Sequence, residues 1–162
     1  MVFRKMVLEE YKKRRKFNIT PEPEAKTLKK SQSRFVIQEH NASHLHYDFR
    51  LELPPEIGSE EVVLKSWAIP KNLPQEKGVK RLAVQTEDHP VPYIDFEGEI
   101  PNGEYGAGIV KIWDKGKFKL VEREPNHIHF VLGGKKIKGE YNLIKTKGFK
   151  KTTNSWLIFK VK

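Results

Sequence analysis

The chain has 162 residues, 37% hydrophobic and 32% charged, and Lys plus Arg exceed Asp plus Glu by ten. That length suits one domain with a real core, and the absence of cysteine excludes disulfides, thiolate metal sites and cysteine nucleophiles. No run is apolar enough for a signal peptide or a membrane span, which predicts a soluble cytoplasmic protein, and the net charge of +10 favours a polyanionic partner, chiefly nucleic acid.

Residues 1–33 read as a basic amino-terminal arm. Phe3 to Lys16 places Met6, Val7 and Tyr11 at helical spacing, which predicts a short helix. Thr20-Pro21-Glu22-Pro23-Glu24 cannot continue it, and Ala25 to Ser33 is a polar loop. Such an arm is mobile unless it packs on the rest of the protein or on nucleic acid.

The densest chemistry lies in Arg34 to Leu53, RFVIQEHNASHLHYDFRLEL. With the two-residue period of a strand, Tyr47, Phe49, Leu51 and Leu53 share one face, and His46, Asp48, Arg50 and Glu52 share the other. Phe35 and Ile37 alternate likewise with Val36, Gln38 and His40. A hairpin turning through Asn41 to Leu45 sets His40 opposite His46, where paired Cβ atoms are about 4.5–5.5 Å apart. His40, His46 and Asp48 then converge, whereas a one-residue slip would send His40 to the other face. Two imidazoles and a carboxylate suit Mn, Fe or Zn and leave positions open for water and substrate.

Residues 34–162 otherwise read as short strands between turns: Val62 to Ile69, Arg81 to Thr86, Phe96 to Ile100, Gly108 to Trp113, Lys117 to Val121, His127 to Leu132, Gly139 to Ile144 and Trp156 to Lys160. Pro101-Asn102-Gly103 and Asp114-Lys115-Gly116 are read as turns. The pattern predicts an all-β fold, a compact antiparallel β-barrel or sandwich with a short amino-terminal helix.

Three further clusters carry polar chemistry. Glu87-Asp88-His89-Pro90-Val91-Pro92-Tyr93 reads as a proline-stiffened loop at a strand end, where His89 and Tyr93 could contact a phosphate. Gly103-Glu104-Tyr105-Gly106-Ala107-Gly108 has the glycine order of a hairpin rather than of a phosphate loop. His127 and His129 share one strand face and form a weaker metal-binding candidate.

LEEYKKRRKFNITPEP, SRFVIQEHNASHLHYDFRLEL, LKSWAIPK, RLAVQTEDHPVPY and DFEGEIPNGEYGAGIVKIWDKGKF together resemble the 3′-phosphoesterase domain of bacterial DNA ligase D and its free-standing archaeal and bacterial relatives. The resemblance implies a compact β-barrel that uses Mn²⁺, with Co²⁺ or Zn²⁺ as other candidates, to heal 3′ ends of DNA or of DNA–RNA primer-templates. A phosphodiesterase step removes a terminal ribonucleoside, and a phosphomonoesterase step leaves a 3′-hydroxyl for end joining. The implied metal ligands are His40, His46 and Asp48, and the implied phosphate-contacting residues are Arg50, His89 and Tyr93. Lys71 and Arg81 are implied in phosphate or nucleic-acid binding, and Glu22, Gln38 and Glu87 in supporting roles. A separately encoded ligase or polymerase and Ku are implied partners. Lys16 stands where the family usually has an aspartate.

The residues themselves agree with phosphoryl chemistry. Arg50 offers a planar fork beside the ligand row, and His89 can stabilise charge or protonate a departing oxygen. No Lys-x-Asp-Gly of a ligase adenylation site is present, so the chain is expected to prepare ends without sealing them. Two alternatives are an iron/2-oxoglutarate oxygenase, joining His46 and Asp48 to His127 or His129, and a non-catalytic single-strand-binding barrel.

Overall fold

A computed structural model describes residues 7–147 and 154–162; Phe3 to Met6, the start of the predicted helix, lie outside the described residues. Helix α1 spans Glu9–Lys13. The strands are β1 Arg34–Asn41, β2 Leu45–Leu53, β3 Val63–Ile69, β4 Lys80–His89, β5 Gly98–Ile100, β6 Gly108–Glu124, β7 His127–Gly133, β8 Lys138–Lys145 and β9 Ser155–Lys160. A 3₁₀ helix, Val91–Asp95, lies between β4 and β5.

All the strand pairings are antiparallel, in the order β1-β2-β3-β4-β9-β8-β7-β6, and β6 returns to β1 to close an eight-stranded barrel. β5 adds to the amino-terminal part of β6 outside that ring. The fold is the predicted antiparallel barrel, and closure leaves the ring without open edges.

Strand parity sorts the side chains into two layers. Phe35 and Ile37 of β1, Phe49 and Leu51 of β2, and Trp67 and Ile69 of β3 fill the interior with Phe130, Tyr141 and Trp156. The outer face of the same wall is also covered. Leu8, Tyr11, Val36, Leu64, Tyr93, Ile94, Phe96 and Ile100 form a second buried cluster beneath the arm, the 3₁₀ helix and β5. The arm therefore packs on the barrel: Tyr11 is fully buried and its hydroxyl donates to the Pro23 carbonyl. The row His46, Asp48, Arg50 and Glu52 consequently lies between barrel wall and covering layer. Glu52 anchors the row's far end by accepting from the Gln32 and Arg34 amides and from Arg34 Nε.

Two expectations change. Asp114-Lys115-Gly116 is not a turn; β6 runs through it, with a bulge opposite Ile37/Gln38. The Asp114 carboxylate accepts amides of Lys115, Lys135, Lys136 and Ile137, so its turn chemistry serves the β7–β8 connection. Gly116 permits close approach, since a Cβ there would lie 2.4 Å from the Gly133 carbonyl oxygen. Second, β4 continues through Glu87 and Asp88 to end at His89, and the predicted proline loop is the 3₁₀ helix that follows. No helix among the described residues is long and apolar enough to cross a membrane.

Candidate active site

The β1–β2 hairpin adopts the register in which His40 pairs with His46 and Gln38 with Asp48. Their ring and carboxylate atoms converge, with one ligand atom from each of His40, His46 and Asp48 all within 4.8 Å of one another. His40 Nδ1 lies 3.2 Å from Asp48 Oδ2, and His46 Nε2 lies 3.3 Å from Asp48 Oδ1.

The other nitrogen of each ring is taken by the backbone. His40 Nε2 donates to the Gly106 carbonyl at 2.7 Å, and His46 Nδ1 donates to the His44 carbonyl at 3.1 Å. These bonds set the tautomers. In the neutral rings the remaining lone pairs face the carboxylate, an arrangement that requires a cation between them, a proton or a metal ion. The donor set and its fixed tautomers thus fit a divalent transition ion. Burial opposes ionisation of Asp48, but the hydrogen bonds that His40 and His46 donate to it when their rings are protonated, with the charge of Arg50, outweigh it and hold the carboxyl well below the usual range. The hydrogen bond to Asp48 raises His46 against the effect of its burial.

Arg50 sits beside this cluster, with NH2 3.6 Å from Asp48 Oδ2. Its Nε donates to Gln38 Oε1 at 2.7 Å, and Gln38 is itself fixed by donating to the carbonyls of Tyr93 and Phe96. The guanidinium lies over the Tyr93 ring, with NH1 3.1 Å from His89 Nδ1. His89 Nδ1 is also 2.8 Å from the Glu87 carbonyl, which assigns its hydrogen there, while Nε2 faces Arg15 NH2 at 3.4 Å. Burial first, and then the charges of Arg50 and Arg15, push His89 well below the ordinary histidine range.

The sign of the resulting pH effect follows. Below about pH 6.5 the unfolded chain takes a proton on His89 that the native imidazole refuses, so native stability falls as pH falls. In chelator, the stability of wild type relative to His89→Asn should fall progressively as pH drops below about 6.5. Urea titrations across that range measure it; a constant gap would show that native His89 is protonated.

The covering arm completes the pocket. Arg15 stacks over Tyr11 and bonds Glu22 Oε2 at 3.0 Å and Glu87 Oε1 at 3.2 Å. Tyr93 donates its hydroxyl to Glu22 at 2.7 Å, so this hydroxyl is engaged rather than free for a phosphate, and burial raises its pKa. Tyr105, from the β5–β6 loop, accepts from Arg14 NH1 at 2.6 Å.

The cavity, about 180 Å³, gathers His40, His46, Asp48, Arg50, His89, Tyr93, Glu22 and Glu87. Gln38 stands behind it as a brace. Lys71 and Arg81 line a different cavity, beside Tyr47 and Trp113. His127 bonds Asn142 at 2.5 Å and His129 faces Glu140 at 3.2 Å, so neither joins His46 and Asp48 in the triad an oxygenase needs. Lys16 is exposed, and its carbonyl closes the turn after α1. Linear sequence does not single out Arg15, Tyr105 or Gly106. Arg15 stands in an unbroken basic run, and Gly106 acts through a backbone carbonyl, which has no side-chain signature.

The model of the DNA ligase D 3′-phosphoesterase domain matches residues 38–145, which include every candidate ligand. The chain is 44% identical over 163 residues to the multifunctional non-homologous end joining protein LigD of Pseudomonas aeruginosa, covering 96% of this chain and 18% of that protein. It is 44% identical over 165 residues to the protein of that name from Mycolicibacterium smegmatis, covering 94% and 20%. The multifunctional non-homologous end joining DNA repair protein LigD of Mycobacterium tuberculosis H37Rv is 44% identical over 161 residues, with 96% and 20% covered. The chain thus spans about a fifth of the length of these curated relatives. By the extent of the model match and the identity over nearly its whole length, the chain belongs to the DNA ligase D 3′-phosphoesterase domain family.

Proposed function

We propose that the chain is a Mn²⁺-dependent 3′-phosphoesterase that heals nucleic-acid ends, with residues 34–162 as the catalytic unit and residues 1–33 as its arm. It removes a 3′-terminal ribonucleoside by phosphodiester hydrolysis and then the remaining 3′-phosphate, giving a 3′-hydroxyl for joining. The observation that carries this reading is the pair of tautomerically fixed histidine lone pairs aimed at Asp48, with the Arg50 guanidinium 3.6 Å away.

His40, His46 and Asp48 would hold the ion, and Co²⁺ or Zn²⁺ also suits their donors. Bound there, the ion supplies positive charge and Lewis acidity at the phosphoryl group. Arg50 lines the cavity and binds and orients the phosphate, its Nε already spent on Gln38, its NH1 beside His89 and its NH2 beside Asp48. His89 is neutral at rest. A phosphate placed beside it raises its proton affinity, so it can take up a proton as substrate binds and release it to the departing oxygen. Tyr93 and Glu22 brace the wall behind these groups. The role implies a cytoplasmic protein working with a DNA ligase or polymerase activity and with Ku.

The test is a primer-template ending in one 3′ ribonucleotide, incubated with Mn²⁺, Mg²⁺, Zn²⁺ or EDTA. Stepwise conversion to a 3′-phosphate and then a 3′-hydroxyl is expected, fastest in Mn²⁺ and absent in EDTA. Binding without shortening under every metal condition would leave only a nucleic-acid-binding barrel. Duplex affinity should fall with salt, with a log–log slope of about −0.9 per phosphate neutralised; affinity that stays flat would make the excess lysines a solubilising surface.

A further inference from the structure

A cavity larger than the one that holds His40, His46 and Asp48 lies elsewhere among the described residues. It measures about 450 Å³, within the range of about 300–1,000 Å³ for small-ligand sites. It shares no lining residue with the catalytic pocket. Its walls combine two chemistries. Tyr47 of β2 and Trp113 of β6 meet edge to face at 6.3 Å and pack against the barrel interior, both half-buried. Lys71 and Arg81 provide cations, with Glu76 as the one acid among the lining residues. Among the described residues the Lys71 ammonium and the Tyr47 hydroxyl have no partner. Arg81 NH1 is held by the carbonyls of Lys71, Asn72 and Leu73, so the guanidinium is fixed at the cavity without an acidic partner.

The connection to the active site runs through β2. Tyr47 stands between His46 and Asp48 in sequence and points through the wall away from them. Tyr47 pairs with Ile69, the last residue of β3, and Lys71 follows two residues later at the same barrel end. The two cavities thus lie on opposite faces of one stretch of β2. Half-buried aromatics with flanking cations are the composition that binds unpaired nucleotides, by stacking and phosphate neutralisation.

We propose that the Tyr47–Trp113 cavity is a second subsite, which takes an unpaired nucleotide of the substrate nucleic acid, its base against the aromatic pair and its phosphate at Lys71 and Arg81. This rests on the 3′-end reading of the catalytic pocket. It assigns Lys71 and Arg81 to holding the strand, apart from the reacting phosphate.

Trp67 and Trp156 are buried, so a change in tryptophan emission on binding reports Trp113. The experiment titrates the whole chain, in EDTA and low salt, with a single-stranded oligonucleotide ending in a 3′-hydroxyl, and separately with a nucleoside monophosphate. Emission should change with the oligonucleotide at far lower concentration than with the monophosphate. Trp113→Leu should weaken oligonucleotide binding about five- to hundredfold, the scale of one missing stack. Lys71→Glu, on an exposed side chain that folding does not need, should weaken it about tenfold or more and reduce the salt slope by about 0.7 for each phosphate no longer neutralised. Oligonucleotide binding with unchanged emission, Lys71→Glu binding like wild type, or equal affinity for the monophosphate would each overturn the subsite alone. A wild type that binds no single strand would also overturn the subsite, and the 3′-end reading falls with it only if the primer-template is left unshortened under every metal condition.

Discussion

Asp48→Ala should abolish ion binding and both hydrolytic steps, whereas Arg50→Ala should keep the ion and lose the substrate. Asp48 is the anionic member of the candidate set, and each of its oxygens faces one histidine at 3.2–3.3 Å. Without it, two neutral imidazoles remain, and activity should fall at least about a hundred- to thousandfold, the scale of removing one preorganised charged group. Arg50 lies outside the set but 3.6 Å from it. Hydrogen bonds to charged groups contribute roughly 1.5–3 kcal/mol, so its loss should exceed tenfold even from weaker ground-state binding alone. A larger loss, carried by kcat, would mean that the interaction tightens in the transition state. Arg50→Lys should rescue poorly, because an ammonium cannot bond Gln38 and still present a fork to phosphate. Calorimetric Mn²⁺ titration of each variant, beside steady-state kinetics, separates the roles. An Arg50→Ala protein that fails to bind Mn²⁺, or an Asp48→Ala protein that binds and turns over, would reverse the assignment.

Arg15→Ala should be among the most destabilising single changes outside the barrel interior. The Arg15 side chain is 4% exposed, and its carboxylate partners Glu22 and Glu87 are 1% and 5% exposed. Removing one member of a buried ion network leaves charge without compensation, which costs about 3–5 kcal/mol. The neighbouring Arg14 also approaches Glu87, at 3.6 Å, but its side chain is 43% exposed. Arg14→Ala should therefore cost no more than about 1 kcal/mol. Urea denaturation of the two variants gives the comparison. Limited proteolysis should cut the arm of Arg15→Ala faster than that of Arg14→Ala. Equal stabilities would mean that Tyr11 and its apolar neighbours hold the arm without the ion network.

The contrast between these neighbouring arginines shows where a linear reading stops. Lys12 to Lys16 is an unbroken basic run, and which member turns inward depends on acids at positions 22 and 87. Strand parity, by contrast, is local. The alternation in β2 defines both faces, and the hairpin between Asn41 and Leu45 sets His40 against His46. The barrel follows from strand lengths and turns, though Asp114-Lys115-Gly116 misleads because its carboxylate serves the chain at residues 135–137. Lys71 follows β3 and Arg81 lies at the start of β4, strands of the wall next to His46 and Asp48, yet the two line a separate cavity. The engagement of Tyr93 with Glu22 spans 71 positions and is equally invisible to any local pattern.

The two-sided burial of β2 has a consequence for how such a protein can change. Its odd positions from Tyr47 to Leu53 answer to the volume of the interior, and its even positions from His46 to Glu52 answer to chemistry on the outer wall. Substitutions on the two faces are nearly independent, so the interior can be rebuilt with other apolar residues of similar total volume while the ligand row stays fixed. Length is not free in this way. One residue inserted or deleted between Leu45 and Leu53 would exchange the faces beyond it, sending charge into the interior and apolar groups into the pocket. A two-residue change restores the faces but shifts the ladder against β1 and β3 and carries His46 away from His40. In this strand, evolution by substitution is open and evolution by change of length is closed.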